Sequence, residues 1–449
     1  MVQFIVFLLS VGTASLLFSK RYKVIPLYMF VVFLFTLDYA NFYLKIDSSL
    51  SGYMIKIYAE ILFLFTVVYF FVRTSKIGKA KNVILVMFVF VVVTLVIGMS
   101  KNGVLNAILD WRSSILPIML PLLLCYSKIV TIDTMKKLMK FVCVLTLLNT
   151  SLALFQYITF NGDPQSSWRY DFLVDARQNN ESNTEERFVT YQIVREDKLR
   201  ASGVFVSALH YSYLAALSAF YVFLQMMAVR KNKFIFYSLY STLFIFFVAG
   251  MLASQVRASL IMLALCLISY FFCTNRSLDN IYFSVKKTIA LIVVSYTALF
   301  AVLFKFGADS LDASAAGRAP QYIKAISDFS VLGAGLGKYR GQFDSDIVYG
   351  VITFGVFYFI IPLVFINLFK KAYSKQVKQG YSNNAIVILG FCVAISVAIV
   401  SLFQHLSGSI FYYVAWLLLI TSATRKSSNF SKSINQLPTI GSYSNMVSK

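Results

Sequence analysis

The sequence predicts an all-α fold, a polytopic transmembrane helical bundle, and two observations support that prediction. Of the 449 residues, 59% are hydrophobic and only 13% are charged, and several apolar stretches are long enough to cross roughly 30 Å of hydrocarbon. These stretches also lack the two-residue alternation of a transmembrane β-barrel. Because lipid offers no partners to backbone amides, the spanning segments are expected to be helices. This composition excludes a soluble fold.

Thirteen apolar segments are candidates for membrane spans. They lie at 2–18, 25–41, 57–72, 83–99, 114–127, 141–160, 204–228, 235–252, 259–274, 288–306, 347–369, 385–404 and 409–423. Lysine-rich connectors recur at every second gap, which places the N-terminus outside and the C-terminus in the cytoplasm by the positive-inside rule. The same connectors account for most of the formal net charge of +22. The expected partner is therefore the lipid bilayer, and no nucleic acid is expected.

Two predicted external connectors are much longer than the others, and they divide the chain. The predicted parts are N-terminal transmembrane helices over 1–160, a large external loop over 161–203, central transmembrane helices over 204–306, a second external loop over 307–346, C-terminal transmembrane helices over 347–426, and a disordered cytoplasmic tail over 427–449. Functional groups tend to lie on loops that a rigid scaffold positions. The functional site is therefore expected at the external face.

The basic residues divide by type between the two predicted faces. Most of the 27 lysines are predicted to be cytoplasmic, whereas nine of the 14 arginines are predicted to be external: Arg112, Arg169, Arg177, Arg187, Arg195, Arg200, Arg257, Arg318 and Arg340. Topogenesis depletes both residue types outside, so external arginine needs a second cause. A guanidinium group binds phosphate oxygens in a bidentate manner. The pattern therefore favours an anionic ligand at the external face.

Arg257 is the sharpest case, because it follows Ser254 in Ser-Gln-Val-Arg where one apolar segment ends and the next begins. A cation at membrane depth costs about 2.5–3.5 kcal/mol, so it persists when it is paired, when it reaches the headgroups or when it is functional. Arg200 and Arg318 hold equivalent outer positions, which favours ligand binding. Solvated ion pairs with neighbouring carboxylates are the expected state of three others: Arg169, Arg177 and Arg187.

Acid–base candidates on the external face are few. Asp344 and Asp346 stand just before a predicted span, and either could accept a proton from a substrate hydroxyl. His210 follows Arg200 by ten residues and is a candidate for substrate contact. A structural, hydrogen-bonded role is expected for His405.

Three closely spaced glycines precede these carboxylates. Gly333, Gly335 and Gly337 do not follow a predicted strand and lack the spacing of a dinucleotide fingerprint. They predict a tight turn whose backbone amides approach an anion or whose backbone packs on the membrane surface. The five cysteines have no metal-ligand spacing, so neither a metal site nor another cofactor is expected.

Three stretches of the C-terminal half resemble the O-antigen polymerase and ligase superfamily of membrane glycosyltransferases. They are Arg200-Ala-Ser-Gly-Val-Phe, Ser254-Gln-Val-Arg257-Ala-Ser-Leu, and Gly317-Arg318 continuing through Gly333-Ala-Gly335-Leu-Gly337. They occur in the family's order and on the predicted external face. The ligase branch usually carries a histidine soon after the glycines, where this chain has Asp344-Ser-Asp346, and that departure favours a repeat-unit polymerase.

The resemblance implies a GT-C-like helical architecture in the bacterial inner membrane, with the active face external and no metal or cofactor. Its substrate would be an undecaprenyl-pyrophosphate-linked oligosaccharide, and its partners a chain-length regulator and a flippase. The implied catalytic residues are Arg257 and Arg318 on the pyrophosphate, with Asp346 or Asp344 as the base. The implied substrate contacts are Arg195, Arg200, His210, Ser254, Tyr322 and Arg340.

Two other functions remain open at this point. A ligase would move the same lipid-linked glycan to a different acceptor. A flippase or transporter would move it without forming bonds, but transporters usually show repeated halves and short external loops. This chain has two long external loops and no evident internal repeat.

Overall fold

The computed structural model describes residues 2–43, 57–73, 78–178, 192–195, 197–229, 234–277, 280–305, 319–378 and 385–424. The predicted site residue Arg318 lies outside these ranges, as do the tail at 427–449 and parts of the two long connectors that are predicted to be external, 179–191 and 307–318. After that prediction, the connectors at 161–203 and 307–346 are called the first and second external segments.

Helices dominate the described residues. In chain order they are α1 Val2–Ser15, α2 Ile25–Tyr43, α3 Tyr58–Arg73, α4 Gly78–Asn102, α5 Val104–Ser114, α6 Leu116–Tyr126, α7 Ile132–Thr159, α8 Trp168–Gln178, α9 Ala208–Ala228, α10 Phe234–Ala253, α11 Arg257–Cys273, α12 Val285–Lys305, α13 Ala319–Ser327, α14 Asp346–Phe354, α15 Ile360–Lys378, α16 Ala385–Val400 and α17 Ile410–Thr424. Short 3-10 helices occupy Leu16–Phe18, Pro164–Ser166 and Gly355–Phe359.

Two small antiparallel hairpins accompany the helices. Strand β1 (Val194–Arg195) pairs with β2 (Lys198–Leu199) in the first long external loop. Strand β3 (Thr274–Ser277) pairs with β4 (Asn280–Phe283) between α11 and α12. The prediction of a helical fold is thus confirmed, with these hairpins as the departure from a purely α architecture.

The thirteen predicted apolar segments all fall on helices, and the segment 347–369 covers both α14 and α15. Helices α5 and α8 were not predicted, and α7 begins at Ile132, nine residues before the predicted segment. The start of α7 is capped by Thr131, whose hydroxyl accepts a hydrogen bond from the N–H of Thr134 at 3.3 Å. The first turns of α7 carry several lysines, so hydropathy alone does not detect them.

Among the described residues, five helical stretches are long and apolar enough to cross a membrane. They are Asn82–Asn102, Ile132–Thr159, Ala208–Ala228, Phe234–Ala253 and Asp346–Lys375. Helices α5 and α6 together form a sixth candidate, bent by 56°. Several further apolar helices are shorter than these. The structure is therefore consistent with a helical membrane protein, while the number of thirteen spans stays a prediction.

The centre of the bundle consists of helices that are buried on nearly every face. They are α6, α9, α16 and α17, and α17 packs against α6, α15 and α16. Peripheral helices such as α10 expose large apolar side chains instead, among them Ile245 and Leu252. A helix that is apolar all round is buried in protein or in lipid. The peripheral faces are therefore suited to hydrocarbon.

Two helix breaks lie at the end of the bundle that is predicted to be external. Helix α6 begins directly after the 56° bend, with Pro117, which lacks a backbone N–H, in its first turn. Helix α14 ends at Gly355, whose φ of +57° suits glycine. A Cβ atom at that position would lie 2.3 Å from the carbonyl oxygen of Val331. The close approach brings the second external segment against the start of the break.

Candidate functional site

The Arg200 stretch is hydrogen-bonded to helix α7. Asn149 accepts a hydrogen bond from the N–H of Val204 at 2.8 Å and donates one to the carbonyl oxygen of Ser202 at 3.2 Å. Gln156 accepts from the N–H of Gly203 at 3.1 Å and donates to the same residue's carbonyl oxygen at 3.2 Å. Gly203 has a φ of +65°, and a Cβ there would lie 2.1 Å from the Asn149 side-chain oxygen. The glycine of this motif is therefore required for packing.

The same stretch meets the turn that precedes Arg257. The N–H of Ala201 donates to the carbonyl oxygen of Ala253 at 3.1 Å. Ser254 is buried and shapes the turn, because its hydroxyl donates to Met251 at 2.6 Å and accepts from the N–H of Val256 at 3.3 Å. Two motifs that are more than fifty residues apart in sequence are thus side by side.

Arg257 itself begins helix α11, and its side chain is exposed. Its predicted partner Arg318 lies outside the described residues, so the expected pairing of these two arginines stays a prediction. Ser254, which was predicted to contact substrate, uses its hydroxyl within the turn.

Arg169 was expected to form solvated ion pairs, and that expectation is wrong. Its side chain is only 2% exposed, and its guanidinium donates to the carbonyl oxygens of Arg200 at 2.7 Å, Val206 at 3.1 Å and Ile193 at 3.5 Å. Burial, together with the nearby charge of Arg200, lowers the pKa of Arg169 to about 9. Five donors in a planar fork suit several carbonyl groups at once. Arg169 therefore joins α8 to the stretch between Ile193 and Val206.

The glycine turn of the second external segment packs against helices α4 and α5. The side-chain amide of Asn102 donates to the carbonyl oxygens of Ala334, Gly335 and Leu336 at 2.9–3.2 Å. Lys101 donates to the carbonyl oxygen of Gly333 at 3.0 Å. These contacts place the turn on protein rather than on the membrane surface.

The anion expected at the glycine amides comes from the protein itself. The carboxylate of Asp110 on α5 is 1% exposed and accepts a hydrogen bond from the N–H of Gly337 at 2.7 Å. It also accepts one from the hydroxyl of Tyr349 on α14 at 2.7 Å. Asp110 therefore links α5, the glycine turn and α14.

This network continues from Tyr349 to an acid–base pair. The ring of Tyr349 lies 4.9 Å from the ring of His405, measured between centroids. Nδ1 of His405 lies 2.9 Å from a carboxylate oxygen of Asp346. Asp346 also accepts hydrogen bonds from the N–H of Leu406 at 3.1 Å and the hydroxyl of Ser407 at 2.9 Å. The pair joins the start of α14 to the connector between α16 and α17.

His405 is the more accessible member of the pair. Its side chain is 22% exposed, compared with 9% for Asp346. Burial is the largest single influence and lowers the pKa of His405, but the carboxylates of Asp346, Asp110 and Asp344 together outweigh it, and the net pKa is raised above the usual value. An imidazole that is oriented by a carboxylate is well suited to accept a proton.

The remaining predicted residues are distributed around this centre. Asp344 is exposed, and its backbone N–H and carboxylate bind the side chain of Gln321 at 2.9 and 3.3 Å. The hydroxyl of Tyr322 donates to the carbonyl oxygen of Leu402. Arg340 is exposed beside the glycine turn.

His210 and Arg195 lie on the side of the first external segment. His210 is the third residue of α9, and the Tyr213 ring one turn later stacks on Phe411 at the start of α17, with 5.3 Å between ring centroids. Arg195 is paired with Lys198 across the β1–β2 hairpin. The start of α9 therefore connects the Arg200 segment with the acid–base pair.

A cavity of about 140 Å³ lies beside the acid–base pair. Asp346, Tyr349 and Ser407 supply part of its polar lining, and most of the remaining wall is apolar. The apolar lining includes Ile118, Phe354, Ile361, Pro362, Phe365, Val397 and Trp416. Of the predicted site residues, Asp346 is the one that lines this cavity.

Asp110 was not among the residues predicted from the sequence, and a structural, hydrogen-bonded role was expected for His405. One signal could have identified Asp110, because a single carboxylate within an otherwise apolar stretch is expensive unless it has partners. The pairing of His405 with Asp346 had no such signal, since the two residues are separated by 59 positions and meet only through packing.

Comparisons with known proteins do not place the chain in a family. No family model matches it, and no curated protein sequence matches it. The resemblance to the O-antigen polymerase and ligase superfamily therefore depends on the three sequence stretches alone.

Proposed function

We propose that the chain is a membrane glycosyltransferase that polymerises undecaprenyl-pyrophosphate-linked oligosaccharide repeats. The growing glycan is transferred to the next lipid-linked repeat at the external face of the bacterial inner membrane, and polyprenyl pyrophosphate is released. The architecture in this proposal is GT-C-like with thirteen spans. Its product is a surface polysaccharide such as O-antigen or capsule.

One observation carries this proposal: the Arg200 segment and the Arg257 turn are joined by the Ala201–Ala253 hydrogen bond of 3.1 Å. The Arg200 segment leads into α9, and the Tyr213 ring of α9 stacks on Phe411 at the start of α17, just after the connector that carries His405, with 5.3 Å between ring centroids. Guanidinium groups and an acid–base pair are therefore near the same end of the bundle. Glycosyl transfer from a pyrophosphate needs positive charge to stabilise the leaving group and a base to accept the proton of the acceptor hydroxyl, and these groups can supply both.

The chemistry follows from these groups. The acceptor hydroxyl oxygen attacks the anomeric carbon, the bond from that carbon to the pyrophosphate oxygen breaks, and the electron pair leaves with the pyrophosphate. Arg257 and Arg318 stabilise the negative charge that develops there. His405 takes the hydroxyl proton on Nε2, and Asp346 beside Nδ1 orients the imidazole and stabilises its charged form. Asp346 thus becomes a positioning residue instead of the base.

A ligase is the second candidate, and the position of His405 favours it. The ligase branch usually has a histidine soon after the glycines, where this chain has Asp344-Ser-Asp346. His405 comes within 2.9 Å of Asp346 from a distant part of the sequence. The packing of the chain therefore places a histidine beside the sequence position at which the ligase branch usually has one.

A reconstituted assay separates the candidate functions. The purified chain in liposomes is given lipid-linked repeats, and the glycans are analysed by chain length. A ladder of longer lipid-linked glycans supports the polymerase, transfer to an added non-lipid-linked acceptor supports the ligase, and movement across the bilayer without new bonds supports a flippase.

Substitutions then test the arginine assignment. Arg257→Ala and Arg318→Ala are expected to abolish chain extension while the protein still folds, because each removes a charge-assisted contact to the pyrophosphate. Arg→Lys should be strongly impaired at both positions if bidentate geometry matters. Arg21→Ala, at the predicted cytoplasmic face, is the matched control. Normal ladders from both external variants would overturn the assignment.

A further inference from the structure

Helix α13 has one face that packs on the protein and one that is exposed and apolar. On the inner face, Tyr322 donates to Leu402, Gln321 binds Asp344, and Ala325 is buried. On the outer face, Ile323 is 68% exposed and Ile326 is 80% exposed. The exposed apolar surface continues beyond the helix through Phe329, Val331 and Leu332.

This surface is continuous with a candidate membrane span. The N–H of Val356 donates to the carbonyl oxygen of Val331 at 3.0 Å, which attaches the segment to the break between α14 and α15. From that point, exposed apolar side chains continue at Val356, Phe359 and Leu363 within the span Asp346–Lys375. The outer face of α13 therefore extends the surface that the span offers to hydrocarbon.

Charge is directed away from the apolar face. The ammonium group of Lys324, which lies between the two exposed isoleucines in sequence, is 5.5 Å from the ring centroid of Tyr339 and 5.9 Å from that of Phe343. Both rings are buried in the second external segment. The exposed carboxylate of Asp328 is likewise directed to Tyr339, whose hydroxyl donates to it at 3.4 Å. Large apolar side chains occupy the exposed positions 323, 326, 329, 331 and 332, and the other exposed residues among them are Lys324, Ser327, Asp328 and Ser330. An amphipathic helix with this division is suited to the boundary between headgroups and acyl chains.

We propose that residues 319–332 form an amphipathic anchor that lies in the plane of the external leaflet. Ile323, Ile326, Phe329, Val331 and Leu332 insert among the acyl chains, and the partner is the lipid surface. Contiguous exposed apolar surface of this kind marks an interaction site. The anchor fixes the height of the glycine turn and of Asp344 relative to the headgroups. This inference is independent of the glycosyltransferase proposal.

Spin-label accessibility tests the anchor. The variants Ile326→Cys and Gln342→Cys are labelled with a nitroxide in liposomes of phosphatidylethanolamine and phosphatidylglycerol, with the unsubstituted chain as the background for its native cysteines. Gln342 is exposed on the polar part of the same external segment, so it is the matched control. The label at 326 should collide at least several-fold more often with oxygen than with a water-soluble nickel complex, and the label at 342 should show the reverse.

Three results would overturn the proposal. Nickel accessibility at 326 equal to that at 342 would mean that the face is in water. Low accessibility to both reagents would mean that another part of the chain covers it. Dipolar broadening that grows with the protein-to-lipid ratio would mean that a second copy of the chain covers it.

A second variant keeps the test independent of labelling. Ile323→Asp with Ile326→Asp should leave the protein folded in detergent, because both side chains are exposed there. Reconstituted in liposomes, the double variant should become cleavable by an added protease around residues 319–332, whereas the unsubstituted chain is protected. Equal cleavage of the two proteins would contradict the anchor.

Discussion

Each of the two external segments is braced by a buried side chain, an arginine in the first and an aspartate in the second. In the first, the buried cation of Arg169 donates to three backbone carbonyl oxygens between Ile193 and Val206. In the second, the buried anion of Asp110 accepts the backbone N–H of Gly337. A backbone carries N–H donors and C=O acceptors, and each of these groups must be hydrogen-bonded when it is buried. Carbonyl oxygens therefore require a donor such as arginine, and an N–H group requires an acceptor such as aspartate.

This comparison separates two uses of charge at the predicted external face, which are to support the structure and to be available to a ligand. Arg169 and Arg257 are both arginines of the predicted external face, yet the first is buried against carbonyl groups and the second is exposed at the start of α11. Asp110 and Asp344 differ in the same way. Burial, which depends on the fold, separates a residue that supports the structure from one that can meet a ligand.

The largest loss of stability is expected for Arg169→Ala. The substitution leaves three carbonyl groups without their charged donor, so the free energy of unfolding should fall by at least about 3 kcal/mol. Thermal unfolding in detergent measures the change, and Arg169→Lys should recover only part of it, because an ammonium group cannot reproduce the planar fork. An unchanged melting temperature would mean that the first segment is held by other contacts.

Asp110→Ala should have the next largest effect. It removes the acceptor of both the Gly337 N–H and the Tyr349 hydroxyl, at a cost of roughly 2–3 kcal/mol. The control is Asp344→Ala, which changes an exposed carboxylate and should stay within about 0.5 kcal/mol. Equal melting temperatures for the two variants would remove the distinction between the buried and the exposed carboxylate.

A pair of glycines in the second segment sharpens the comparison. Gly337 and Gly341 have φ values of +96° and +69°, so alanine is strained by about 1 kcal/mol at either position. A Cβ at Gly337 would also lie 2.9 Å from Asn106 on α5, whereas one at Gly341 would meet nothing within 4 Å. Gly337→Ala should therefore destabilise the protein more than Gly341→Ala, by about 1 kcal/mol or more in thermal unfolding. The reverse order would contradict the packing of the turn on α5.

The smallest expected effect is a change with pH in the stability that is lost on His405→Gln. Burial lowers the pKa of His405, but the carboxylates of Asp346, Asp110 and Asp344 together raise it above its ordinary value. The stabilisation of the charged imidazole is therefore fully present below the unfolded pKa of about 6.5 and is lost as pH rises through the folded pKa. The loss of stability on His405→Gln should accordingly be greater at about pH 5.5 than at about pH 9. A pH-independent difference between the melting temperatures would contradict the pairing.

The same pair predicts the pH dependence of the proposed polymerase. If neutral His405 is the base, activity rises with pH through its raised pKa. Asp346→Asn removes the charge that raises this pKa, so the acid limb of the profile should move to lower pH as the rate falls. Rates of chain extension against pH measure this shift. An unshifted limb would assign the proton to another group.

Much of the fold was predictable because membrane insertion is decided by local composition. Each helix that crosses hydrocarbon must be apolar over most of its own length, and all thirteen predicted segments fall on helices. Helix α5 escaped detection for the same reason, since Val104–Ser114 has low hydropathy and lies against protein at Asp110. For the candidate site, the sequence predicted Asp346 and the Arg200 and Arg257 stretches. It did not predict that His405 lies beside Asp346 or that the two stretches are hydrogen-bonded to each other.

By itself, the sequence determined that this chain is helical, where its apolar segments lie and which residue types are available at the predicted external face. The tertiary structure alone decided that Asp110 meets Gly337, that His405 meets Asp346, and that Arg169 supports the structure. These contacts join residues up to 239 positions apart, as in Tyr349 with Asp110. Hydropathy acts through each segment's own contact with lipid, whereas the partners of a buried polar group depend on how distant helices pack.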